Sequence, residues 1–191
     1  MYRLGAAWLW RYTGVMLFMS KSLFNRPVMS LRTGTRVATA VEPIINPHNL
    51  KILGWWCSLA GRGKNLVLLS EDVRETTPGG LAVNDDEVLS QPEDLVRHRE
   101  ILDIKFRLTD KTVRTKRQKL GKVADFSYND GMFVQKLYVA RPVTKIFSSQ
   151  DTLLIDRTQI LEVTDSYILV RDTEVTAEEK EMAPARAVAT P

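Results

Sequence analysis

The chain has one cysteine, Cys57, and two histidines, His48 and His98. A lone cysteine excludes an internal disulfide framework and suits a reducing compartment, so the expected location is the cytoplasm. A metal site needs several ligands that converge, and these three residues share no ligand spacing, so neither a metal nor a cofactor is expected. No Gly-x-Ser-x-Gly elbow is present, and Cys57-Ser58 has no base or orienting partner in its vicinity. Gly61-Arg62-Gly63-Lys64 lacks the spacing of a phosphate loop and the helix that should follow it, and reads as a hairpin connection. Asn84-Asp85-Asp86-Glu87 lacks the spacing of a calcium loop and reads as a solvated strand end. No catalytic residue is legible, and an enzyme is not expected.

A long unbroken apolar run is also missing. Leu4 to Ser20 is apolar but carries Arg11 near its middle. A spanning helix needs about 20 mostly apolar residues, and a central arginine costs roughly 2.5–3.5 kcal/mol on insertion. Thr13 to Met19 is short for a signal-peptide core, and no small-residue cleavage pattern follows it. Residues 1–21 therefore read as an extension with three explanations, in order of preference. The first is an over-called start, with translation beginning at Met19. The second is an interfacial anchor through Trp8, Trp10 and Phe18, and the third a transmembrane helix. Membrane contact is expected only through residues 1–20. The stretch 176–191 is rich in Ala, Glu and Pro and reads as a disordered tail.

What is present is an ordinary globular composition, 44% hydrophobic and 26% charged, in 191 residues. That length holds one ordinary domain or two small ones. The net charge of +4 is uneven: residues 22–100 carry nine basic and ten acidic groups, residues 101–173 thirteen and nine. Self-similarity accounts for the division. A stretch opening at Val28 and another at Val113 each begin Val-x-Ser/Thr and pass through a basic turn. Each then enters a short alternating run ending in an acid, Val37 to Glu42 in one and Leu120 to Asp125 in the other. Turns follow at Asn46-Pro47-His48-Asn49 and Asn129-Asp130-Gly131, then strands ending in Trp55-Trp56 and Tyr138. Asn65 to Val73 resembles Asp151 to Ile160, and Gly80 to Val88 resembles Tyr167 to Val175. The offset stays between about 83 and 87 residues, as duplication with small loop changes requires.

Short Val-, Ile- and aromatic-rich strands between Gly- and Asn-containing turns predict small barrels or sandwiches. Asp130-Gly131 predicts a tight hairpin, with Gly131 supplying the positive φ. Ser90-Gln91-Pro92-Glu93 has the form of a capping box and predicts a linker helix over 90–102, with an apolar face that includes Leu95, Val96, Ile101 and Leu102. The expected organisation is a module at 22–89, the linker helix at 90–102, a second module at 103–175 and the tail. A single continuous core, or halves that fail to superpose, would overturn it.

The Val-x-Ser/Thr openings, the run Lys119-Leu120-Gly121-Lys122-Val123-Ala124-Asp125 and the later apolar-apolar-Asp/Glu strands together resemble the PRC-barrel domain. The likeness covers roughly residues 22–175. It is distant from the family's better-known members, the cytoplasmic domain of the photosynthetic reaction-centre H subunit and the C-terminal domain of the ribosome maturation factor RimM. The first copy departs from the pattern at Ala38, where the family favours glycine. What the resemblance implies is a mainly β chain of two tandem small barrels that bind proteins or ribonucleoprotein assemblies, with no shared reaction and no shared site residues.

Two constellations remain. Lys105, Arg107, Lys111, Arg114, Lys116, Arg117, Lys119 and Lys122 fall together against one acid, Asp110. Arg114, Lys116, Arg117, Lys119 and Lys122 are the candidate partner-binding residues, facing RNA phosphates, an acidic protein or anionic lipid. The plainer explanation is an edge strand whose lysines discourage aggregation. No aromatic platform is expected among them, which counts against single-stranded RNA. Trp55 and Trp56 project to opposite faces of a strand and are the candidate contact between the two barrels. The expected function is a non-enzymatic adaptor that binds a protein or ribonucleoprotein partner. The alternative is a ribosome- or RNA-associated factor acting through residues 105–122. The oligomeric state is left open.

Overall fold

A computed structural model describes residues 16–59, 66–141 and 152–172. Trp8, Trp10, Arg11, the Gly61–Lys64 connection and the C-terminal tail lie outside the described residues.

The chain is mainly β. A short first strand, β1 (Leu17–Met19), precedes a first series: β2 (Arg26–Ser30), β3 (Arg36–Ile45), β4 (Ile52–Ser58), β5 (Leu66–Leu69), β6 (Val73–Thr77) and β7 (Gly80–Val83). The second series is β8 (Thr112–Arg114), β9 (Lys119–Asn129), β10 (Val134–Ala140), β11 (Thr152–Asp156), β12 (Ile160–Val163) and β13 (Tyr167–Val170). Each series forms one curled sheet, and the strand orders are the same: β5-β4-β3-β2-β7-β6 and β11-β10-β9-β8-β13-β12. Neighbours are antiparallel except β2 with β7 and β8 with β13, which are parallel.

Finer features repeat as well. A β-bulge falls between Val28 and Met29 in one copy and between Val113 and Arg114 in the other. Three-residue 3-10 turns, Ser70–Asp72 and Arg157–Gln159, stand at matching places before β6 and β12. Bulges increase local twist, which suits sheets that curl. Period-2 alternation sets the faces: Val113, Thr115, Gly121 and Val123 are buried, whereas Arg114, Lys116, Lys122 and Ala124 are exposed.

The core differs from the expectation of two separately packed modules. One continuous buried cluster draws on both sheets, from Val28, Ile52 and Trp55 to Phe126, Leu137 and Ile168. The two sheets are lobes of a shared interior. They meet at a reciprocal seam: the Ile52 amide donates to the Met132 carbonyl at 2.7 Å, and the Val134 amide to the Leu50 carbonyl at 3.0 Å. Between these bonds Lys51 and Phe133 form a β-bridge. Each partner lies at the corresponding place of its own copy, the pattern of a two-fold, self-complementary interface. Leu50 and Met132 share φ values of 55° and 59°. A left-handed backbone costs a non-glycine residue about 1 kcal/mol or more, and the two cross-lobe bonds offset it. In the β9–β10 hairpin, therefore, the positive φ falls on Met132 and not on Gly131.

Chain crossing ties the lobes further. β1 pairs with β9, so residues from before the first series complete the second sheet. Phe18 packs on Tyr128 with ring centroids 5.5 Å apart, Ser22 Oγ and Tyr128 Oη are 2.8 Å apart, and Ser20 Oγ donates to Asp125.

The linker differs from the helix expected at 90–102. Ser90 caps nothing; its backbone bridges the free edge of β5, exchanging both amide bonds with Val67 at 2.9 and 3.0 Å. Two 3-10 turns follow, Pro92–Asp94 and Val96–His98, and then the helix α1 (Arg99–Ile104). Six residues are too few to be helical alone, and α1 is held by docking: Leu102 is buried against Ile44 and Val67. Val96, expected on the apolar face, is 75% exposed.

Candidate functional site

The basic residues are the first candidate. Arg114 ends β8, Lys116 and Arg117 stand in the turn after it, and Lys119 and Lys122 lie on β9. All five are exposed. β8 lies between β9 and β13, and β9 between β10 and β8. Arg114 and Lys122 have a strand on either side, so edge protection does not explain those two charges; Lys119 lies beyond the last β9–β10 pair, and Lys116 and Arg117 are in the turn.

Several of the cations are held from other elements. The Arg114 guanidinium lies 4.9 Å from the centre of the Tyr167 ring, which β13 brings alongside through its parallel pairing. Lys111 sits 4.7 Å over the Phe106 ring and donates to the Asp165 carbonyl. Aromatic partners are thus present, in contrast to the expectation; Phe106 is buried, and Tyr167 is the half-exposed one. Arg117 reaches Asp172 at 4.0 Å while 79% exposed, a contact worth little in water. Lys116, Lys119 and Lys122 have no ion-pair partner among the described residues. Between them the turn encloses a shallow hollow of about 250 Å³, lined by Arg114, Thr115, Lys116, Arg117 and Lys119.

The matching turn of the first lobe is electrically quiet. Its Arg32 is paired with Asp86 at 3.1 Å and approached by Asp85 at 3.9 Å. The acidic run 84–87 thus has a local role: Asp86 neutralises Arg32, and Asp85 accepts from the Glu87 amide to cap a 3-10 turn. At the corresponding place the sequence has Asp172, Thr173 and Glu174, and Asp172 is the acid among the described residues. Among the described residues the same turn is therefore neutral in one lobe and cationic in the other.

No known family model matches the sequence, and no curated protein matches it.

The tryptophans divide. Trp55 is 1% exposed, donates its indole N–H to the Leu23 carbonyl at 3.0 Å, and belongs to the shared core. Trp56 faces the other way, under α1, beside Ile44, Val67 and Leu102. The backbone contact between lobes is made at the Leu50–Ile52 and Met132–Val134 seam. Trp56 helps line a hollow of about 320 Å³ between β3 and the linker, with Glu42, Pro43, Ile45, Ile101 and Phe106. A second hollow of about 320 Å³ lies across the Phe106–Arg107 segment. Arg107 donates to Glu42 at 3.0 Å between the two. This groove had no signal in the sequence, because the linker and β3 are some 60 residues apart.

Among the described residues no three His, Cys, Asp or Glu side chains converge to hold a metal. His48 is exposed in the β3–β4 turn and His98 ends a 3-10 turn of the linker. Cys57 is buried in β4, and burial pushes its thiol up from 9.0 to about 12. A thiol so raised is protonated at neutral pH and is no nucleophile. The neutral form is the one the fold favours, so its contribution to stability holds below about pH 9 and is lost as pH rises toward 12. We expect folded protein at pH 8 to resist iodoacetamide at Cys57 and to be labelled once urea opens β4, as followed by intact-mass spectrometry. Prompt labelling without denaturant would mean that the thiol is accessible and reactive after all. No helix among the described residues is long and apolar enough to cross a membrane.

Proposed function

We propose that this chain is a non-enzymatic cytoplasmic adaptor, two PRC-type barrels in tandem, that docks an acidic partner protein on the cationic turn of its second lobe. The observation that carries the reading is the placement of Lys116, Lys119 and Lys122: exposed, without an ion-pair partner among the described residues, and on or beside interior strands. Cations so placed have no local ion pair among the described residues, and beyond keeping the surface soluble they are available to an external anion. The repeated strand order supports the tandem-barrel part, as does Gly121 in the run that carries the family likeness. The shared core counts against two independently packed barrels, so the reading keeps the repeated strand plan and gives up separate interiors. The raised thiol of Cys57 argues against nucleophilic chemistry at that one residue.

The second reading, an RNA- or ribosome-associated factor, is favoured by one contact. The Arg114 guanidinium lies 4.9 Å from the centre of the Tyr167 ring, a cation with an aromatic ring beside it, which suits phosphate and base together.

Salt separates the two readings. Arg114, Lys116, Arg117 and Lys119 are changed together to Gln, and full-length chains are used to capture partners with and without nuclease. Under the adaptor reading a protein partner survives nuclease and is lost in the fourfold variant. Under the RNA reading nuclease releases everything, and binding to labelled single-stranded RNA falls steeply with KCl. Its log–log slope should then shrink by about 0.7 for each phosphate contact removed. Partners retained equally by the variant would remove the turn from both readings.

A further inference from the structure

The two lobes treat one structural seat differently. Beside β9 the seat is filled by the chain itself: β1 lies against Ser127–Asn129, with Phe18 on Tyr128 and Ser20 on Asp125. The corresponding stretch of β3 runs from Glu42 to Asn46. It is crossed by Lys105–Leu108, and the crossing leaves the two hollows of about 320 Å³. In one lobe Phe18 packs the seat while Leu17 and Met19 stay exposed; in the other Phe106 and Leu108 are buried and the two hollows remain beside the crossing chain.

The hollow nearer α1 has an apolar wall of Pro43, Ile45, Trp56, Ile101, Leu102 and Phe106. Its charged members are Lys105 and Arg107, both exposed, and Glu42, which accepts from Arg107. A concave apolar site of this size holds one or two bulky side chains, and its few charged groups choose among ligands. Arg107 and Glu42 neutralise each other at 3.0 Å, which among the described residues leaves Lys105 as the uncompensated cation at the rim and favours an anionic flank.

We propose that this hollow takes a Leu- or Phe-centred anchor from an acidic peptide segment of a partner protein. The inference rests on the adaptor reading and names the chemistry of the segment that reading requires. Phe18, packed on Tyr128 in the other lobe, shows the kind of apolar side chain the seat accommodates. Lys105, exposed at the rim, adds the preference for Asp or Glu beside the anchor. An aromatic or aliphatic anchor in a desolvated pocket, with charge at the rim, is the usual division of labour at an interface.

The test uses the full chain and three fluorescein-labelled decapeptide pools, read by anisotropy. One pool has a central Leu-Phe pair between Glu residues, one the same pair between Lys residues, and one a central Ser-Ser pair between Glu residues. The first pool should bind at least about tenfold more tightly than either of the others. Lys105→Glu combined with Arg107→Gln should remove most of that preference, and so should Ile101→Phe, which narrows the hollow from α1. The fourfold variant of the cationic turn should leave it unchanged. Equal affinity for the three pools, or loss only in the turn variant, overturns the assignment. Failure of all pools while a protein partner is still captured through the turn overturns the groove and spares the adaptor reading.

Discussion

Replacing Gly121 by alanine is expected to destabilise the protein by about 3 kcal/mol, read as a lower urea midpoint at an unchanged slope. Gly121 lies in β9 at φ 156°, and a Cβ added there would sit 2.0 Å from the Ala140 carbonyl oxygen and 3.0 Å from Val139 Cγ1. The first of these is backbone, so no rotamer change relieves it. Moving the Ala140 carbonyl away breaks the last rung of the β9–β10 ladder, where Ala140 faces Lys122. Rotating β9 instead disturbs Val123 and Val113, both buried. The first lobe supplies the control. Ala38 occupies the matching place, is buried, and is not among the residues with positive φ. Ala38→Gly should cost only about 1 kcal/mol, the ordinary entropy of glycine in a strand. A loss at Gly121 as small as that would mean that the end of β10 yields freely and that close approach does not dictate the glycine.

The contrast between Gly121 and Ala38 also marks what the sequence could and could not convey. The repeat was readable because local signals survive in both copies: the basic turns after β2 and β8, the alternating runs of β3 and β9, and the turns at Asn46 and Asn129. Strand order was not readable. It depends on the parallel closure of β7 on β2 and of β13 on β8, and such pairings between distant segments leave no periodicity. The seam was invisible for the same reason. Ile52 and Val134 reach across through backbone amides, which every sequence carries. The Asp130-Gly131 hairpin was placed correctly, but its strained residue was not. Asn129 Oδ1 accepts from the Phe133 amide at 2.9 Å and fixes the turn so that Met132 takes the left-handed φ. Ser90 had the chemistry of a cap, and the unpaired edge of β5 claimed its backbone first. Of the candidate site, the five cations were legible as a cluster. Their position on or beside interior strands and the ring of Tyr167 beside Arg114 were not, because both come from an element 53 residues away. The groove at Trp56 needed the path of the linker, which the expected helix would have run differently.

Trp55 tests the shared core. Its truncation to alanine should cost about 3–5 kcal/mol, whereas Trp56→Ala should cost distinctly less. Both are tryptophans on one strand, projecting to opposite faces, and the sequence left open which of them is core. Trp55 is 1% exposed and packs in the cluster that joins the lobes; Trp56 is half-buried beneath α1. Trp55→Phe separates packing from hydrogen bonding. It retains most of the ring but leaves the Leu23 carbonyl, buried beside it, without its 3.0 Å donor, at about 1–3 kcal/mol. Leu23 belongs to the segment between β1 and β2, so that bond also fixes where the chain turns from the second sheet into the first. If the core is one unit, urea unfolding of Trp55→Phe should remain a single transition, and signals from both lobes should move together. Two transitions, with only the first lobe's moved by the substitution, would mean that the lobes pack as independent modules and that the continuous cluster carries no cooperativity between them.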